Sequence, residues 1–201
     1  DGQALIFLGA FVAEGGHGLQ WLNEKGEKLG GQGWVGGTWT GAPTLAVDLG
    51  PNAAEDHLCY VGSVWEGELR LTAKSRGLAD VPILKEKLGE EIGKRPSREE
   101  QASLPPVLAG FEGGDKRFVL GGIAAHNGRI VCSMPRQEEL LVVEIAGGKI
   151  TERIPLANPR GLAFDAQGRL LALSGKKLVR FEGLKAEPET VIEGVLEDPG
   201  H

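Results

Sequence analysis

The chain is poor in sulfur and in rings. Its 201 residues include 2 cysteines, 1 methionine and 1 tyrosine, and aromatic residues make up 5%. Two cysteines with no CxxC pair and no Cys/His cluster at ligand spacing exclude a structural zinc site. Cys59 in HLCYVGSV and Cys132 in RIVCSM both sit among apolar residues. They read as two buried thiols rather than a disulfide, which leaves the redox compartment open. Excess positive charge is also missing: the formal net charge is -6. That excludes the broad basic face with which nucleic-acid binders displace counterions from phosphates. The longest apolar runs, such as 4–11 and 140–145, are far shorter than the roughly 20 residues of a membrane-spanning helix, so no membrane span is expected. Asp1 is not an initiator; the chain reads as processed or trimmed, and any secretion signal would have gone with the missing start.

What the chain does have is glycine, 32 of them, and 41% apolar residues, enough for a real core. The glycines follow no three-residue period, so they read as turn punctuation rather than collagen or low complexity. Two stretches superimpose. Gly122-Ile123-Ala124-Ala125-His126 aligns with Gly161-Leu162-Ala163-Phe164-Asp165, and Gly128-Arg129-Ile130-Val131 with Gly168-Arg169-Leu170-Leu171. Asn158-Pro159 recurs as Asp198-Pro199, so the spacing is about 40 residues, a period of repeat architectures. Within one repeat, 161–165, 169–174, 177–182 and 189–193 read as four short strands parted by tight turns. Four antiparallel strands and a Pro-marked return loop make a propeller blade.

The same pattern holds earlier. Leu45-Ala46-Val47-Asp48 takes the place of Leu162-Ala163-Phe164-Asp165, 58–64 is a second strand, 69–73 alternates as a half-buried strand does, and 81–84 closes the blade. At the N-terminus 5–12, 19–23 and 28–29, with a Glu24-Lys25-Gly26 turn, fit most of another blade. The expected fold is therefore all-β, a β-propeller segment of about four four-stranded blades. Its units are a partial or divergent blade over 1–37, a blade over 38–84, a charged insertion or linker over 85–118, a blade over 119–160, and a blade with the start of the next repeat over 161–201. In the insertion, Ser97-Arg98-Glu99-Glu100 has capping-box form and predicts a short helix to about Leu104, before Pro105-Pro106.

The words ANPRGLAFDAQGRLLALSGKKLVRF resemble NHL-type repeats of bacterial secreted propellers, in particular those of large multi-domain proteins of planctomycete-like bacteria. The resemblance covers 119–201 closely and 38–84 loosely. It implies a ring of six blades or more, so closure needs further blades of the same polypeptide or a second chain, an open blade edge leaving strand hydrogen bonds unpaired. It also implies a secreted, periplasmic or cell-surface location and says little about chemistry.

Gly31-Gln32-Gly33-Trp34-Val35-Gly36 satisfies GxGxxG, but 37–43 cannot open a helix, so no nucleotide site or other cofactor is expected. Trp34, Trp39 and Trp65 are candidates for an aromatic platform that stacks sugar rings; the competing use of such side chains is to fill space between blades. Asp48, His126 and Asp165 fall in one column at the end of the first strand of each repeat. A ring of such side chains near a channel mouth could hold a divalent cation such as calcium. The competing explanation is that each caps its own tight turn. A lactonase-like hydrolase would add Asn127 and Asn158 to that set. GxSxG is absent, and Glu99-Glu100 and Glu138-Glu139 are not acids spaced across a cleft. No catalytic residue is assigned. The expectation is a non-catalytic interaction or scaffold module with protein partners or further blades around it and a possible homo-oligomer; carbohydrate binding and metal-assisted hydrolysis are the alternatives.

Overall fold

A computed structural model describes residues 4–9, 17–32, 44–48, 50, 59–65, 67–74, 80–88 and 119–194. These form fifteen strands and no helix. β1 (Ala4–Gly9), β2 (His17–Leu22) and β3 (Lys28–Gln32) make a three-stranded sheet. β4 (Thr44–Val47), β5 (Cys59–Trp65), β6 (Glu68–Lys74) and β7 (Asp80–Lys87) make the first four-stranded sheet. β8 (Gly122–His126), β9 (Arg129–Met134), β10 (Glu139–Glu144) and β11 (Lys149–Pro155) make the middle one. β12 (Pro159–Phe164), β13 (Leu170–Ser174), β14 (Lys177–Phe181) and β15 (Glu189–Glu193) make the last. Every sheet is an antiparallel meander with strands in chain order, as expected of blades. The helix predicted over 97–104 lies outside the described residues, and β7 runs to Lys87, three residues into the stretch read as insertion.

Short strands suit this chain because its turns are built for reversal. Asn127 and Gly128 have φ of 50° and 75° between β8 and β9. An Asn-Gly pair accepts left-handed backbone, and its twist matches that of the strands it joins. At the N-terminal hairpin the Asn23 side-chain oxygen accepts from the N–H groups of Lys25 and Glu27, closing the turn between β2 and β3.

The four-stranded sheets stack face to face. Between the first and the middle sheet, Tyr60, Val64, Leu69 and Leu71 pack with Ile123, Ile130, Cys132, Leu141 and Val143. Between the middle and the last, Ala124, Val131, Leu140 and Val142 meet Leu170, Ala172, Val179 and Phe181. The middle sheet is thus buried on both faces, which is why ELLVVE and RIVCSM read as nearly unbroken apolar runs instead of alternating. Each large side chain fully buried here stabilises the fold by about 1.5–3 kcal/mol. Cys132 is a free thiol in this core, and burial pushes its pKa up to about 12. It stays protonated at neutral pH and acts as a small apolar side chain.

One irregularity recurs. In each four-stranded sheet the pairing of the third strand with the fourth skips one residue of the fourth: Ile83, Thr151 and Val191. In the N-terminal sheet the same bulge falls between β2 and β3, at Leu29, and the β1–β2 pairing is regular. By this mark β1–β3 correspond to the second, third and fourth strands of a blade.

Candidate functional site

The first strands of the three four-stranded sheets, β4, β8 and β12, lie side by side and line an open pocket of about 480 Å³. Its wall is 45–47 of β4, 123–126 of β8, 162–164 of β12 and the two residues after it, Asp165 and Ala166. Each of these strands is the edge of its sheet, so the backbone groups on its outer side are not used in the sheet, and apolar side chains such as Leu45, Ile123 and Leu162 contribute to the lining. The sequence reading placed polar residues at the channel mouth and did not identify this apolar wall. The repeat column that aligned Ala46, Ala124 and Ala163 was the signal that could have found it.

Asp48, His126 and Asp165 hold the ends of these strands, as the repeat requires, and each solves its position differently. Asp48 is 1% exposed. Its Oδ1 accepts from the N–H of Gly50 at 2.7 Å and of Asn127 at 2.8 Å, and its Oδ2 accepts from the N–H of Gly128 at 2.8 Å. The carboxylate therefore closes its own turn and also grips the first hairpin turn of the following sheet. The approach is so close that a Cβ on Gly50 would stand 2.5 Å from the backbone nitrogen of Asn127.

His126 makes the analogous reach with a ring. It packs on Phe164, ring centroids 5.1 Å apart and planes tilted by 33°. Its Nε2 lies 2.7 Å from where a Cβ on Gly168 would stand, and Gly168 has φ of 77°. Glycine is thus required there twice, by backbone conformation and by the imidazole above it.

Asp165 turns back on its own hairpin. Oδ1 accepts from the N–H groups of Gln167 and Arg169, both at 2.9 Å, and Oδ2 from Arg169 Nε at 2.7 Å. Arg169 also reaches Glu182 at 3.2 Å. Partial burial of Asp165 acts to raise its pKa, but the amides of Arg169 and Gln167 and the Arg169 guanidinium together outweigh it and hold the carboxyl below its ordinary value. The Arg169 guanidinium is correspondingly raised, first by its hydrogen bond to Asp165. A depressed carboxyl favours the folded state above the unfolded pKa and loses that contribution as pH falls through the folded one. Asp165→Asn is therefore expected to lower the melting temperature at neutral pH. Its gap from the unmodified chain should close as pH falls below the ordinary Asp value; a gap constant with pH would show that the charge of Asp165 contributes nothing.

Among the described residues no three His, Cys, Asp or Glu side chains come together as a metal-binding group. Asp48, His126 and Asp165 share the pocket end of their strands but each faces a turn. Asn127 lies in the turn that Asp48 holds, and Asn158, with φ of 46°, accepts from the N–H of Gly175 through its backbone carbonyl. Trp34 and Trp39 lie outside the described residues, and of Trp65 the structure describes the backbone of β5, paired with Glu68.

No protein-family model matches the chain. No curated protein matches it either. Solved structures do. The nidogen/laminin complex superimposes with a TM-score of 0.58 at 16% identity, over 96% of this chain and 62% of the matched chain. A protein of unknown function from Bacteroides caccae gives 0.50 at 14% identity, over 89% of this chain and 54% of that one. These neighbours are β-propellers, and at such identities the likeness shows the fold alone. The chain spans little more than half the length of these solved propellers.

Proposed function

We propose that this propeller is a non-catalytic interaction module of NHL-repeat type, carried by a secreted or cell-surface bacterial protein and contacting protein partners through loops on one rim. One observation carries the reading: the carboxylates at the inner-strand ends are committed to holding turns. Asp48 is spent on three backbone amides and Asp165 on two amides and a guanidinium. A hydrolase would aim such groups at a metal or a substrate. The phrase Pro159-Arg160-Gly161-Leu162-Ala163, which enters β12, supports the repeat type. That a propeller of this fold occurs in the nidogen/laminin complex supports an assembly role by analogy of fold.

The test is made on the purified chain. Calcium and zinc are expected to leave its melting temperature unchanged, although a cation at about 100 times its dissociation constant would add about 2.7 kcal/mol. No turnover of lactones or esters above buffer is expected, and crosslinking to a cell-surface extract should give a discrete protein adduct that excess unlabelled chain competes away. A metal-dependent rise lost in Asp165→Ala, together with turnover, would replace the proposal with a metal-assisted hydrolase. Retention on polysaccharide lost in Trp34→Ala, Trp39→Ala or Trp65→Ala would replace it with a sugar-binding module.

A further inference from the structure

Asn127 is the asparagine of this chain that precedes a glycine; Asn23 is followed by Glu24, Asn52 by Ala53 and Asn158 by Pro159. The distinction is chemical. A backbone nitrogen can attack the side-chain carbonyl carbon of the asparagine before it, and glycine shields that nitrogen least because it has no Cβ. Proline has no N–H to give up. Asn127 is exposed, and a Cβ placed on Gly128 would meet no atom of the described residues within 4 Å, so the turn is open on that side. Against this stands the grip of Asp48. Its Oδ2 accepts from the Gly128 N–H at 2.8 Å, and its Oδ1 from the Asn127 N–H at 2.8 Å. The Gly128 carbonyl is held as well, accepting from the Ile145 N–H at 3.0 Å. The peptide units on either side of Gly128 are thus both fixed.

We infer that Asn127 is a site of spontaneous covalent modification gated by Asp48: conversion to aspartate and isoaspartate starts when the carboxylate releases the Gly128 amide, and it loosens the hold of the first sheet on the middle one. Ring closure needs the 127–128 peptide to swing until its nitrogen comes over Cγ of Asn127, and it needs that nitrogen without its proton. Asp48 opposes both, by bonding the N–H and by placing a negative charge where a second would form. Once the grip opens, solvent base takes the proton and the Gly128 nitrogen bonds to Cγ. The Cγ–Nδ2 bond breaks, and ammonia leaves after water returns a proton to it. Water then opens the cyclic imide at either carbonyl. One opening restores the backbone as aspartate; the other routes it through the side chain as isoaspartate. Net, a water is taken up and an ammonia lost. Either product puts a new carboxylate in the turn that Asp48 holds, where like charges repel. Isoaspartate also adds a methylene to a turn whose residues take φ of 50° and 75°. The damage falls on the amides that join the two sheets. The chemistry needs only water and is independent of what the propeller binds.

The test is incubation of the chain in warm, mildly alkaline buffer. Conversion at Asn127 is read peptide by peptide in mass spectrometry, and backbone fragmentation tells isoaspartate from aspartate. In the folded chain it is expected to be at least about tenfold slower than in the chain unfolded in guanidinium chloride, as for a site freed only by local opening. Asp48→Asn should speed it in the folded state. Phe181→Leu, which loosens a buried position away from the turn, should speed it less at equal loss of stability. Converted chain, separated by charge, should melt below unconverted chain. Equal rates in folded and unfolded chain would overturn the inference. Equal acceleration by the two variants at matched stability would also overturn it, making global unfolding the gate. Slower conversion in Asp48→Asn would do the same, making the carboxylate the base that drives the reaction. Unchanged melting of converted chain would remove the loosening of the junction. Where Asp48→Asn fails to fold, Gly50→Ala replaces it, because its Cβ would stand 2.5 Å from the Asn127 nitrogen and push the turn off an intact Asp48.

Discussion

Replacing Asp48 by alanine is expected to cost about 3–5 kcal/mol of folding stability, one of the two largest single-site losses in this chain. The side chain is 1% exposed and its carboxylate satisfies three backbone N–H groups. Hydrogen bonds to a charged acceptor contribute about 1.5–3 kcal/mol each, and removing the acceptor leaves three backbone donors to find other partners. Two of the three donors belong to the following sheet, so the loss falls on the junction between sheets. Urea denaturation gives the magnitude, and amide exchange gives the place: protection of Asn127 and Gly128 should drop selectively. Asp48→Asn should recover less than half of the loss, because its NH₂ group faces N–H donors. A loss below about 1 kcal/mol would mean that water serves those amides as well as the carboxylate does.

Phe181→Ala is the second, with an expected loss of about 3–5 kcal/mol from transfer and cavity terms together. Phe181 is fully buried at the end of β14, in the cluster shared by the middle and last sheets. For a chain of this size that corresponds to a fall in melting temperature on the order of 10 °C. Phe181→Leu keeps most of the volume and should lose less than half as much. If Phe181→Ala lowered the melting temperature no more than Phe181→Leu does, the sheets would be able to close around the void, contrary to the close packing read here.

The repeat made the last sheet legible almost strand by strand, since 161–165, 169–174, 177–182 and 189–193 correspond to β12–β15 within a residue or two. The glycines marked the reversals, and the apolar alternation over 69–73 marked a strand with one buried face. The outer strand β7 was read short, as 81–84. It begins at Asp80 and continues through Lys85, Glu86 and Lys87, because an outermost strand needs no apolar face and can carry Pro82. The site was less legible, and for a physical reason. That an aspartate at a strand end caps its own turn is a local rule, and Asp48 obeys it toward Gly50. Its hold on Asn127 and Gly128 joins residues 79 and 80 positions apart, which no local pattern encodes. That histidine replaces aspartate in the column at His126 hinted at a role broader than turn capping, and the ring's packing over Gly168 is that role.

The extra residue in each outermost strand bears on how this protein behaves when crowded. A bulge twists a strand and breaks the even spacing of its outward N–H and C=O groups, so a second strand cannot zip along it. In β15 it falls at Val191, beside Ile192, two of the few large apolar side chains left in the open, with Glu189 and Glu193 as flanking charges. The exposed apolar pair of β15 thus sits where the backbone is kinked out of register, which guards that edge against pairing with another chain.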